Sequence, residues 1–193
     1  MKSITVFCGS SMGTQEIFEQ EAYRLGQLLA HKQITLVYGG AKVGLMGAVA
    51  NGVLSGNGKV IGVIPGFLQT KEVAHEELSE LITVDTMHER KTRMSELCEG
   101  VIALPGGFGT SEELFEMLTW AQLGLHEKPI GLLNVAQFYQ PLHTFVQSMV
   151  DNGFLKKLNQ DMILSSERAE DLLQLMEAYK APKVKKWITP ETT

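Results

Sequence analysis

The chain has 193 residues, a net charge of −5 and a hydrophobic fraction of 44%. This length suits one substantial core and is short for two domains, and the acidic balance argues against a general nucleic-acid binder. The N-terminal apolar run is too short for a secretory signal, and no window reaches the roughly 18 apolar residues of a membrane span. We therefore expect a cytoplasmic protein without nucleic-acid or membrane partners.

Strand-like apolar runs alternate with patterns of helical period along the chain. The apolar runs predict strands at 3–8, 34–38, 59–64, 80–85, 100–104 and 129–134, with a weaker one near 162–164. The helical patterns fall at 15–31, 44–56, 87–98, 111–125, 137–150 and 167–179. Strands that alternate with helices imply right-handed crossovers and a mainly parallel sheet between two helical layers. We predict an α/β fold, with a single Rossmann-like nucleotide-binding domain over 1–180 and a C-terminal tail over 181–193.

Two cysteines occur, Cys8 at the end of the first predicted strand and Cys98 near a helix end. Their positions indicate reduced thiols. Neither has metal-ligand spacing and the histidines are scattered, so we expect no metal site.

Three glycine-rich turns follow predicted strands, at 8–13, 38–47 and 104–113. The carboxyl ends of parallel strands share one edge of a sheet, so these turns are candidate ligand contacts, including Gly9 and Ser10 in the first turn and Gly39 and Gly40 in the second. The first turn has neither the Gly-x-Gly-x-x-Gly spacing of a dinucleotide dehydrogenase nor the ending of a Walker loop. Glycines after strands also serve tight turns alone, so each turn by itself can be structural.

The third turn is the most informative. Gly106, Gly107 and Gly109 remove Cβ atoms that would keep a ligand from the backbone, and the turn opens a helix. The first N–H groups of a helix favour an anion. The turn therefore predicts a phosphate site.

Glu113 has two interpretations. Thr110 and Glu113 fit a capping box, with threonine at the N-cap and glutamate at the third helical position, a role that stabilises a helix by about 1 kcal/mol. The alternative is a carboxylate that acts on a bound ligand. Local sequence favours capping, and Glu112, about 100° away around the helix, has the pattern of a solvated carboxylate.

Arg90 lies on a mostly apolar face of its predicted helix, with Met87, Met94 and Leu97. An arginine there pairs with a carboxylate or a phosphate, or extends its head group to solvent. The sequence does not decide among these three partners of the Arg90 side chain.

The sequence from Pro105 to Glu113 resembles the PGGxGTxxE signature of the LOG (Lonely Guy) family, which was long described as possible lysine decarboxylases. Arg90-Lys91, with the arginine 23 positions before Glu113, resembles the second signature of that family. The segments 38–47 and 119–134 are also similar, and the likeness covers about 3–180. Ala41 departs from the pattern, since many members have glycine there.

The resemblance implies a phosphoribohydrolase that cleaves the N-glycosidic bond of N6-substituted adenosine 5′-monophosphate, or of AMP, without a cofactor. It implies Arg90 and Glu113 as the catalytic pair, and a homodimer with helix 87–94 or 114–125 near the interface. No lysine of a decarboxylase that uses pyridoxal phosphate is identifiable. The residues implied to line the nucleotide site are Glu72, Lys91, Gly107, Phe108, Gly109, Thr110, Ser111, Glu112 and Thr119, beside Gly106.

A non-catalytic nucleotide or cofactor carrier of the same fold is the alternative, which the joint presence of Arg90 and Glu113 disfavours. Candidates for the pocket around the N6 substituent are Met12, Met87, Phe108 and Trp120.

Overall fold

The computed structural model describes residues 1–68, 75 and 77–182. The strands are β1 Ser3–Phe7, β2 Thr35–Tyr38, β3 Val60–Pro65, β4 Glu80–Val84, β5 Gly100–Ala103, β6 Ile130–Leu133 and β7 Ile163–Ser166. The helices are α1 Glu16–His31, α2 Gly44–Ser55, α3 Met87–Glu96, α4 Phe108–Gln122, α5 Gln140–Asp151, α6 Lys157–Gln160 and α7 Ala169–Ala178. Short 3-10 turns lie at Gly66–Leu68 and Val135–Gln137.

The strands form one parallel sheet in the order β4-β3-β2-β1-β5-β6-β7. Ile4 of β1 lies between Leu36 of β2 and Gly100 of β5. Consecutive strands extend the sheet in one direction up to β4, and the chain then returns to place β5 on the other side of β1. This reversal makes the β1–β5 boundary the topological switch point, where ligands of such sheets bind. The predicted α/β fold is confirmed.

Alternating side chains of the central strand enter two different cores. Ile4 and Val6 join the apolar cluster shared with α1, α2 and α7, whereas Phe7 joins the cluster shared with α3 and α4. A strand presents successive side chains to opposite faces, so β1 holds both helical layers on one backbone. Helices α3 and α4 therefore stand on the same face, with their first turns toward the switch point.

The weak apolar run near 162–164 is strand β7, and α6 was not predicted because four residues carry too little periodicity. No helix in the described ranges is long and apolar enough to cross a membrane. The predicted tail falls outside the described residues from position 183 onward.

Candidate active site

A cleft of about 280 Å³ opens at the carboxyl edge of the sheet, beside the switch point. Its walls come from the turn after β1, the start of α2, the turn after β3, and the first turns of α3 and α4. Eight residues predicted for the site line it: Gly9, Ser10, Arg90, Gly107, Phe108, Gly109, Thr110 and Glu113. The fold thus brings the first and third glycine turns and the predicted catalytic pair to one cavity.

Gly107 and Gly109 face open space. A Cβ built on either of them meets no atom within 4 Å, and neither has a positive φ. Packing and backbone conformation therefore do not require glycine at these two positions. A Cβ at either position would instead obstruct a molecule bound in the cleft. Glycine at both positions therefore suits a ligand that approaches the backbone closely.

The capping-box interpretation of Glu113 is wrong. Helix α4 begins at Phe108 with Gly107 as its N-cap, and no side chain in the described part of the chain caps it. Thr110 therefore lies inside the first turn, buried at 4%, rather than at the N-cap. The residues of this first turn line the cleft, and no side chain in the described part of the chain caps their N–H groups. The Thr-x-x-Glu cap occurs in α3 instead, where the Thr86 hydroxyl accepts a hydrogen bond from the N–H of Glu89 at 3.1 Å.

Arg90 is held by backbone carbonyls at the ends of two strands. Its Nε donates to the Val63 carbonyl at 3.0 Å, and its Nη2 donates to the Gly39 carbonyl at 2.8 Å. The residue is 5% exposed, so its charge sits in a largely desolvated place at the cleft wall. A side chain on Gly39 would collide with this guanidinium. Gly39, predicted to contact ligand, thus serves the placement of Arg90 in this structure.

Glu113 lies on α4 facing the end of β1. Burial raises the pKa of the Cys8 thiol, and the negative charge of Glu113 raises it further. Cys8 therefore remains a neutral thiol and is not a thiolate nucleophile. Among the cleft-lining residues of the described chain, Glu113 is the carboxylate.

Lys91 and Glu112 do not line this cleft. Lys91 is buried, and its Nζ donates to Glu112 Oε1 at 2.5 Å and to Glu116 Oε1 at 3.1 Å. Burial alone would lower the pKa of Lys91, but its hydrogen bonds to the two carboxylates raise that pKa above its ordinary value. Glu112 is exposed, as expected of a solvated carboxylate, with 57% of its side chain accessible, and it also accepts a hydrogen bond from the buried Lys91 ammonium.

The other predicted residues are distributed around the cleft. Gly106 packs against Thr110 and lines a neighbouring apolar pocket, and the Gly40 carbonyl accepts from the His75 N–H at 3.0 Å. The Ser111 hydroxyl donates a hydrogen bond to the Gly107 carbonyl at 3.0 Å, and the Thr119 hydroxyl donates to the Phe115 carbonyl at 2.7 Å. Glu72 lies outside the described residues.

Three further lining residues were not singled out as ligand contacts: Cys8, Met46 and Leu68. Cys8 and Met46 fall within the first and second predicted glycine turns, whereas the apolar Leu68, in the 3-10 turn after β3, carries no ligand signal in the sequence. Of the candidates for an N6 pocket, Met87 and Phe108 line the cleft, with Phe108 98% exposed, whereas Met12 lines the neighbouring apolar pocket. Trp120 packs on the core around α3 and α4.

Within the described ranges, no group of three or more His, Cys, Asp or Glu side chains is arranged to hold a metal ion. The charged groups of the cleft are the Glu113 carboxylate and the Arg90 guanidinium, and helix N–H groups and the residues Ser10 and Thr110 lie beside them. Together they suit an anionic ligand that develops positive charge near Glu113.

Comparison with known sequences adds a family. The family described as "Possible lysine decarboxylase" matches residues 46–176. The cytokinin riboside 5′-monophosphate phosphoribohydrolase LOG2 of Arabidopsis thaliana is 47% identical over 92% of this chain and 84% of its own length. The corresponding LOG enzyme of Oryza sativa is 45% identical over 92% of this chain and 74% of its own length.

Solved structures share the fold at lower identity. A molybdenum cofactor binding protein from Rippkaea orientalis has a TM-score of 0.69 and 23% identity, covering 92% of this chain and 97% of its own. The molybdenum cofactor carrier protein of Chlamydomonas reinhardtii has a TM-score of 0.69 and 20% identity, covering 92% and 98%. At this identity the likeness concerns architecture, and the chemistry must be argued from the cleft.

Proposed function

Because the chain belongs to the LOG family of phosphoribohydrolases, we propose that it hydrolyses the N-glycosidic bond of an adenosine 5′-monophosphate. The products are a free base and ribose 5-phosphate, and N6-substituted AMP of the cytokinin type is the substrate class. One observation carries the proposal: Arg90 and Glu113 line the same cleft as Gly107 and Gly109, whose open surroundings neither packing nor φ explains.

The 5′-phosphate is assigned to the start of α4. Gly107 leaves the first turn without a side-chain cap, and the N–H groups of the next residues provide donors and the positive end of the helix dipole. Gly109 allows the phosphate to approach that backbone. Fixing the phosphate in this way also fixes the ribose relative to the rest of the cleft.

Glu113 is assigned to the reacting carbon. Breaking the C1′–N9 bond builds positive charge on the ribose ring, as in glycoside hydrolysis. A carboxylate about 4 Å from that charge stabilises it by about 4 kcal/mol at an effective dielectric near 20, which corresponds to about a thousandfold in rate. This stabilisation operates whether water attacks C1′ directly or through a glycosyl ester on Glu113.

Arg90 is assigned to the support of Glu113 and the substrate. Two of its five N–H donors are committed to the Val63 and Gly39 carbonyls, which hold the guanidinium plane at the cleft wall. A fixed positive charge in a desolvated cleft favours the ionised form of a nearby carboxylate. It also attracts the anionic substrate.

The test is base release by the purified protein. We expect hydrolysis of N6-isopentenyl-AMP and AMP, and rates at least about tenfold lower for adenosine, since removal of the phosphate removes a charge-assisted contact of more than about 1.4 kcal/mol. ATP, as a further comparison, measures tolerance for a longer phosphate chain. Nucleotide binding without base release from any of these compounds would instead support the carrier alternative.

The remaining assignments are also proposals. We propose a homodimer, with α3 or α4 near the interface, and a cytoplasmic location. We further propose that residues 1–180 fold as one domain, with 181–193 as a tail. Light scattering that shows only monomer would contradict the dimer.

A further inference from the structure

Helices α3 and α4 each carry two consecutive charged residues at the end of the sheet where the cleft lies. Arg90 and Lys91 are consecutive in α3, and Glu112 and Glu113 are consecutive in α4. Consecutive residues of a helix project about 100° apart. Arg90 and Glu113 therefore face the cleft, while Lys91 and Glu112 meet outside it.

Lys91, Glu112 and Glu116, here called the ion-pair cluster, bring a buried ammonium together with one exposed and one partly buried carboxylate. The Lys91 side chain is 9% exposed, and its Nζ lies 2.5 Å from Glu112 Oε1 and 3.1 Å from Glu116 Oε1. The two glutamates are four positions apart, so their carboxylates share one face of α4. Lys91 of α3 thus binds two successive turns of α4, next to the residues of the catalytic pair.

The same geometry disfavours Lys91 as a phosphate ligand. An ammonium group has three donors, and two of those of Lys91 are directed to carboxylates. One positive charge beside two negative charges leaves no net positive field for an anion. The side chain is also absent from the residues that line the cleft.

We propose that Lys91 is a positioning residue, which sets the spacing of Arg90 and Glu113 by tying α3 to α4 through the ion-pair cluster. The role rests on the proposed hydrolase function of the cleft. Because the cluster lies one residue away from each member of the catalytic pair, a small shift between the helices changes the distance from Glu113 to the reacting carbon. Rates depend steeply on such placement.

The test compares kcat and KM for AMP among variants. Lys91→Met keeps the length of the side chain and removes the charge, and we expect kcat to fall about tenfold or more with KM within about twofold. Lys91→Arg, which keeps charge and donors, should recover part of the lost kcat. The variant with Glu112→Gln and Glu116→Gln should also lose kcat, and adding Lys91→Met to it should cost little more, since the three groups act as one unit.

Three results would overturn the proposal. A rise in KM of about tenfold or more for Lys91→Met with kcat kept, independent of the two glutamates, would identify a substrate ligand. A lower melting temperature with unchanged kcat per folded molecule would identify a purely structural ion pair. Wild-type protein that releases no base would remove the hydrolase function itself, and with it the positioning role. Lys157→Met, which breaks the exposed pair with Asp161 at 2.9 Å, is the matched control and should change neither constant.

Discussion

The two glycine turns that follow β2 and β5 look alike in sequence and differ in structure. In the turn after β2, Gly44 has a φ of +61° and its missing side chain is replaced by the backbone of Ser10, while Gly47 lies against Lys42. In the turn after β5, Gly107 and Gly109 have nothing within 4 Å of a built Cβ. Packing requires Gly44 and Gly47 in the first turn and Gly106 in the second, whereas Gly107 and Gly109 meet no packing constraint and leave room for a ligand. This difference supports the proposed phosphate site at the start of α4.

Gly44→Ala gives the largest predicted effect on stability. A side chain there would overlap the Ser10 backbone and occupy a positive φ, so we expect the free energy of unfolding to fall by about 3 kcal/mol or more. Denaturant unfolding measures this loss. Gly153→Ala is the matched control, since its φ of +78° carries the same backbone strain in open space and should cost only about 1 kcal/mol. Equal losses for the two variants would show that packing around Gly44 is not the cause.

Gly109→Ala should separate folding from binding in the other turn. Since open space surrounds this position in a helix, the free energy of unfolding should stay the same or rise. We expect KM for AMP to rise about tenfold or more, because the methyl group occupies the path of the phosphate to the backbone. Gly107→Ala should raise KM likewise and lower stability slightly, because alanine is a poorer N-cap than glycine. Wild-type kinetics in both variants would place the phosphate elsewhere.

His75 gives the smallest and most selective effect, and concerns the packed turn. Its N–H donates to Gly40, its Nδ1 accepts from the N–H of Glu77, and its Nε2 pairs with Asn51 at 2.9 Å. Burial lowers the pKa of His75, with the charge of Lys42 lowering it and that of Glu77 raising it. The folded pKa therefore lies below the unfolded value of about 6.5. The neutral His75 side chain therefore contributes to the free energy of unfolding above the unfolded pKa, and this contribution is lost as pH falls through the lowered folded pKa.

The measurement is the free energy of unfolding of wild type and His75→Gln between about pH 7.5 and 5, a range chosen around the unfolded histidine pKa. We expect the variant to lose less stability on acidification. An identical pH dependence would contradict the role of His75. His126, whose pKa is also lowered by burial, contributes separately, and His126→Gln serves as the comparison.

The fold could be predicted from the sequence because apolar runs alternate with helical patterns, and glycine or proline marks the ends of most of these runs. Sequence reasoning also brought Arg90 and Glu113 to one site by resemblance. It mistook the role of Thr110, because the Thr-x-x-Glu pattern and the low helix propensity of Gly109 both favour a start at Thr110, whereas the folded helix begins at Phe108. The partners of Lys91 could not be predicted, since they depend on how α3 and α4 stand together on the sheet.

The most direct test of the account is the turnover of Glu113→Gln with AMP or N6-isopentenyl-AMP. The change removes the negative charge that we propose to face the reacting carbon, and it keeps the size of the side chain. We predict that the variant folds, binds AMP as wild type does, and releases base at least about a hundredfold more slowly, which corresponds to about 2.7 kcal/mol of lost stabilisation. Hydrolysis within about threefold of wild type, a difference of less than about 1 kcal/mol, would contradict the catalytic assignment of Glu113.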